Sequence, residues 1–123
     1  MTREEWDAYW LWRDTFIDVI DQQYYPIEWL DGLLLADKAF FVFTDNAAAI
    51  YEIKNYPSGV KDVHGLVCAG DLCDIQNTLI PAAREHGRSL GCIGFLIESR
   101  PGWVKALKSD GFELFQASVR API

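Results

Sequence analysis

Positive charge is scarce in this chain. Eleven Lys and Arg stand against eighteen Asp and Glu, for a net charge of -7 and a pI near 4.6. Such a surface repels phosphates, so neither nucleic-acid binding nor docking on an anionic membrane is expected. Long apolar runs are also missing. Stretches such as residues 39–43 fall far short of the roughly 20 residues that span a bilayer. Met1-Thr2-Arg3-Glu4-Glu5 has no basic segment leading into an apolar run, so no secretory signal is expected. Cysteine is sparse: Cys68, Cys73 and Cys92 are odd in number and form no CxxC pair. Free thiols in a reducing, cytoplasmic setting fit best. The spacings of His64, Cys68, Cys73 and His86 match no zinc ligand set, and no metal is expected. No Ser- or Pro-rich linker, repeat or low-complexity tract divides the chain, so residues 1–123 read as a single domain.

Half of the residues are hydrophobic and 14% are aromatic, enough for a real core at this length. Thr2 and Glu5 form a capping box before an amphipathic helix. Its apolar face carries Trp6, Tyr9, Trp10, Phe16, Ile17 and Ile20, with Trp12 and Val19 off the main stripe. Pro26 opens a second helix through Trp29, Leu30, Leu33 and Leu34. The period then changes to that of strands at 39–44, 48–56 and 61–69, with turns at Asp45-Asn46 and Pro57-Ser58-Gly59. These predict an antiparallel meander. Asp71 caps a third helix, in which Pro81 should produce a kink or displace the start. A buried strand follows at 92–98, then a short helix opened by Pro101 and closed by Gly111, then a last strand at 113–119. Strands separated by a helix should run parallel, with a right-handed crossover.

This element order resembles the GNAT acyltransferase fold. The likeness is most specific from Lys61 to Phe112, where a strand, loop and helix lead into Gly91-Cys92, a strand, and a short helix ending Asp110-Gly111-Phe112. Val63-His64-Gly65, Ala69-Gly70-Asp71-Leu72 and Arg100-Pro101-Gly102-Trp103 look like small GNAT-like proteins encoded by tailed phages. The resemblance implies an α/β domain with a GNAT-like mixed sheet, an antiparallel meander plus a parallel βαβ unit. It also implies helices on both faces and the absence of the first strand that many members have.

Acetyl-CoA is the cofactor such a fold implies, held by Arg/Gln-x-x-Gly-x-Gly/Ala ahead of the third helix. The matching stretch here is Asp71-Leu72-Cys73-Asp74-Ile75-Gln76, with Gly70 just before it. Two aspartates therefore stand where a diphosphate would bind. Like unit charges about 4 Å apart repel by about 1 kcal/mol in water and by more where partly buried. By the same counting, Arg100 takes the place of a CoA-contacting Asn and Leu107 that of the general-acid Tyr. Leucine cannot donate a proton, whereas Arg100 can pair with a phosphate. Gly70, Asp71, Cys73 and Arg100 are thus the candidate cofactor contacts. Glu52, His64 and Glu98, on or at the ends of strands beside the expected cleft, are the candidate general bases.

Three functional readings follow. The first is a GNAT-like N-acyltransferase with a degenerate acetyl-CoA site and weak or absent catalysis. The second is a non-catalytic phage accessory or virion-assembly protein that meets a protein partner, or itself, through the Trp-rich helices. It would act in the host cytoplasm or in the virion. The third is a binder of another small ligand where the central strands splay.

Overall fold

The computed structural model describes residues 1–99 and 102–123. Helix α1 (Arg3–Val19) starts at the expected box: Thr2 Oγ1 accepts from the Glu5 amide, and Glu5 Oε1 accepts from the Thr2 amide. The Thr2 amide first, and then the Thr2 hydroxyl, hold the Glu5 carboxyl below its ordinary range. Helix α2 (Ile27–Leu35) follows, with Pro26 just ahead of it at the cap position. Tyr9 and Phe16 of α1 and Leu30 and Leu34 of α2 are fully buried against Phe41, Ala48 and Ile50 of the sheet. Tyr9 is the centre of an aromatic cluster, edge-on to both Trp6 and Phe41.

The tryptophans divide differently from the helical stripe. Trp10 is 57% exposed and lies under the Arg13 guanidinium, whereas Trp12 stacks on Phe16 and packs against the core. The sheet therefore covers one flank of the apolar arc, and Trp10 is on the other. Trp29 is also partly exposed, paired with Tyr25 rather than sealed in the core.

Strands β1 (Phe40–Phe43), β2 (Ala47–Asn55) and β3 (Lys61–Gly70) form the antiparallel meander. Strand β4 (Gly94–Ile97) pairs parallel to β3. Among the described residues the sheet order is β1-β2-β3-β4, with the chain starting in α1 rather than a strand. Side chains alternate across it. Phe41, Ala48, Ile50 and Ala69 face α1 and α2, while Ala47, Tyr51 and Val63 face the helices that follow β3. The mixed sheet with helices on both faces is thus present.

The third helix is continuous but not uniform. α3 (Leu72–Asp74) passes through a π-helical turn (Ile75–Leu79) into α4 (Ile80–Ser89). Pro81 explains the turn. Proline has no amide hydrogen and its ring clashes with the carbonyl four residues back. Widening the preceding turn by one residue, with the Ile80 amide bonded to Ile75 O, lets the helix continue past it. α4 then lies so close to the sheet that a Cβ at Gly87 would stand 2.2 Å from Val63 Cγ2. After β4 come α5 (Gly102–Ala106) and a 3-10 turn (Lys108–Asp110), ended by Gly111 in the left-handed conformation at φ 86°.

The expected last strand at 113–119 does not form. These residues are exposed and join no ladder. Strand propensity alone does not make a strand, and among the described residues this segment bonds to no neighbouring edge.

α1 and α2 are tied by one charged cluster. Arg13 grips Asp31 with two nitrogens, at 2.7 Å and 3.0 Å, and the Tyr9 hydroxyl donates to the same carboxylate. Burial first, and then the Asp31 hydrogen bond, push the Tyr9 hydroxyl pKa up. Burial alone would raise Asp31, but the bonds from Arg13 and Tyr9 outweigh it and hold the carboxyl below its ordinary value. A depressed carboxyl pKa stabilises the fold above its unfolded value, and the contribution is lost as pH falls through the folded one. Asp31→Asn should therefore cost about 1.5–3 kcal/mol near neutral pH. Its deficit relative to wild type should shrink below about pH 4, as read from urea melts across pH. A deficit independent of pH would assign the cluster a packing role only.

Candidate functional site

β3 and β4 pair over only four residues each, Asp62–Gly65 with Gly94–Ile97. Beyond Gly65, β3 runs on to Gly70 without β4 beside it. The opening between them is a cleft of about 830 Å³. Cys68, Ile75, Leu79, Phe95, Ile97, Trp103 and Leu107 make its apolar part. Asp18, Asp21, Tyr25, Trp29, His64 and Glu98 line the part toward the α1–α2 connection. A mostly apolar wall with a few polar groups at one end is the usual make-up of a small-molecule site.

Of the three candidate bases, His64 and Glu98 line this opening, and Glu52, which does not, is bonded to His64. Glu52 on β2 and His64 on β3 are directly paired in register, and His64 Nδ1 is 2.8 Å from Glu52 Oε2. His64 Nε2 lies 3.0 Å from Glu98 Oε1, just past the end of β4. A neutral imidazole carries hydrogen on one nitrogen, so only the doubly protonated ring donates to both carboxylates at once. The His64 and Glu52 side chains are 13% and 29% exposed, that of Glu98 61%. The inner pair is the firmer one.

Three of the four candidate cofactor contacts lie outside the cleft lining. Gly70, Asp71 and Cys73 are not among the residues lining the cleft. Gly70 is required by the backbone: its φ is +105°, and a Cβ there would lie 2.2 Å from the Asn46 carbonyl oxygen. The Asp71 amide is bonded to that same oxygen at 2.9 Å. The Asp71 carboxylate caps its own helix, accepting from the Cys73 amide at 3.3 Å. Asp74 accepts from Thr44 Oγ1 at 2.6 Å, and that hydroxyl in turn accepts from the amides of Asn46 and Ala47. The two aspartates thus hold the β1–β2 turn to the helix start. The Cys73 residue is exposed. Arg100 lies outside the described residues.

Proton donors are few. Leu107, at the general-acid position, is 2% exposed and packs with Ile75, Leu79 and Ile80. Tyr51 also borders the cleft, but its hydroxyl is bonded to His86 Nδ1 at 2.7 Å, and burial pushes its pKa up to about 12. Burial likewise pushes the Cys68 and Cys92 thiols up, against the direction a nucleophile needs. Among the described residues no group of three or more His, Cys, Asp or Glu is placed to hold a metal ion. No described helix is long and apolar enough to cross a membrane. The sequence reading missed Asp18, Asp21 and Tyr25 as cleft residues. The break in helical period after Ile20 was the available sign of a functional connection.

The chain matches no protein-family model and no curated protein. Solved structures do match. An aminoglycoside N-acetyltransferase in complex with CoA superposes with a TM-score of 0.68 at 17% identity, covering 100% of this chain and 96% of that one. A ribosomal-protein-alanine N-acetyltransferase from Brucella melitensis gives 0.65 at 9% identity, with 100% and 95% covered. A predicted acetyltransferase with acetyl-CoA from Clostridium acetobutylicum gives 0.61 at 9% identity, with 84% and 76% covered. At these identities the likeness is one of fold, and the fold is that of the GNAT acetyltransferases.

The unequal burial of the two carboxylates makes a quantitative expectation. In double-mutant cycles read by urea denaturation, the His64–Glu52 coupling should be about 1 kcal/mol. The His64–Glu98 coupling should stay under about 0.5 kcal/mol, as for other exposed pairs. Equal couplings would mean that Glu98 is held as firmly as Glu52.

Proposed function

We propose that this protein is a GNAT-fold, N-acyltransferase-like protein that retains the ligand cleft but has a degenerate acetyl-CoA site, with weak or absent acyl transfer. The observation that carries this reading is the Asp71 carboxylate on the Cys73 amide. A diphosphate at a helix start needs free backbone N–H groups and positive potential. Here the donor is taken by an acidic side chain of the same turn, and Asp74 adds a second negative charge. The residues present do not fit the CoA diphosphate. The general-acid position points the same way, since Leu107 is an aliphatic core residue.

The Glu52–His64–Glu98 cluster and the acidic, aromatic rim at Asp18, Asp21, Tyr25 and Trp29 support ligand binding at the mouth of the cleft. The phage-like motifs around Val63, Ala69 and Trp103 support a phage-encoded protein working in the host cytoplasm. A second reading, contact with a protein partner, is favoured by the exposure of Trp10 (57%) and Leu11 (83%) side by side on α1.

A ligand at a hundred times its Kd stabilises a protein by about 2.7 kcal/mol, which is several degrees in Tm for a domain of this size. Millimolar acetyl-CoA or CoA should leave the Tm unchanged. A saturable rise of several degrees, with CoA release in the presence of an amine, would overturn the proposal.

A further inference from the structure

The lining of the cleft belongs to both sides of the sheet. Ile75, Leu79 and Leu107 are part of the core beside α4, whereas Ile20, Leu66 and Val67 pack with α1 and α2. The parting of β3 and β4 therefore joins a buried apolar end to an exposed polar one at the α1–α2 connection.

The deep end offers little to a polar ligand. The Tyr51 hydroxyl is already bonded to His86, and Cys68 presents only a thiol. A polar body placed against these side chains would give up its water without replacing it. A hydrocarbon body loses nothing there. The mouth selects charge. Among the described residues that line the cleft there is no Lys or Arg, while Asp18, Asp21 and Glu98 bring three carboxylates. His64 is committed to Glu52 and Glu98, and among the described residues Asp18 and Asp21 form no salt bridge. Tyr25 and Trp29 stand at the same mouth, ring centroids 5.1 Å apart and tilted by 42°, and remain 53% and 36% exposed. Beside them, Tyr24 carries the Arg120 guanidinium 4.7 Å over its ring. The connection thus already holds one cation by an aromatic face.

We propose that the cleft takes a single amphipathic cation, an alkyl chain with a quaternary ammonium head. The chain lies in the parting of β3 and β4, against Ile75, Leu79 and Leu107. The head sits among Asp18, Asp21, Tyr25 and Trp29. A quaternary head donates no hydrogen bond, so ring faces and nearby carboxylates satisfy it without a fixed set of acceptors. An anionic head is repelled by the same carboxylates. The inference rests on the reading of the cleft as a ligand site.

The probe is octyltrimethylammonium, titrated calorimetrically into the 123-residue chain alongside 1-octanol and octyl sulfate. One saturable site is expected, about tenfold tighter than that for octanol, with octyl sulfate weaker than both. Shortening the chain from octyl to butyl should cost roughly fourfold in affinity per methylene. Asp21→Asn should bring the cation toward octanol while leaving octanol binding unchanged, and Trp29→Ala should also weaken the cation; circular dichroism checks that each variant is folded. Methyl resonances of Ile75, Leu79 and Leu107 should shift on binding. Equal binding of all three probes, or tighter binding of the sulfate, overturns the cationic class and leaves the cleft reading standing. Binding of none overturns both. Cation binding that neither variant weakens, or that moves none of those methyls, places the ligand elsewhere and overturns the inference.

Discussion

The short parallel ladder between β3 and β4 is the constraint on which the rest of this molecule depends. Four residues on each strand are paired, and then the strands part. The cleft opens at that parting. His64 is inside the paired stretch, Glu98 just past its end, and the apolar wall of Cys68, Ile97, Trp103 and Leu107 lies around the opening. A longer ladder would seal the cleft. A shorter one would release β4, whose only strand partner among the described residues is β3.

A second constraint acts at the β1–β2 turn. The β1–β2 turn and the helix start are joined by a chain of bonds from the Asn46 and Ala47 amides through Thr44 to Asp74, together with the Asp71 amide on Asn46 O. Gly70 permits this approach because a side chain there would strike Asn46. Acidic residues that look misplaced for holding a phosphate are well placed to fasten a turn. Their role in the fold and their unsuitability for an anion have one cause.

Features set by neighbours in sequence were legible in it. The Thr2–Glu5 box, the Asp71 cap and the Gly111 stop each depend on a few adjacent residues, and each is where the sequence places it. Features that need a distant partner were not. Helical period places Trp10 and Trp12 within one broad arc but cannot say which flank the sheet covers. The convergence of Glu52, His64 and Glu98 was hidden for a similar reason. β2 and β3 slip by one residue between Ile50, opposite Val67, and Tyr51, opposite Gly65. Without that bulge Glu52 would face Gly65, and His64 would belong to the opposite face. The strand at 113–119 has the propensity but, among the described residues, joins no ladder.

The close seating of Gly87 on Val63 has a mechanical consequence. A helix in contact with a strand at that distance leaves no side chain between them to rearrange. The α4 wall of the cleft is therefore an anvil, its position fixed by backbone against core. The opposite wall hangs from four ladder positions and a short helix. Any widening of the cleft would therefore have to come from that lighter wall, in one direction only.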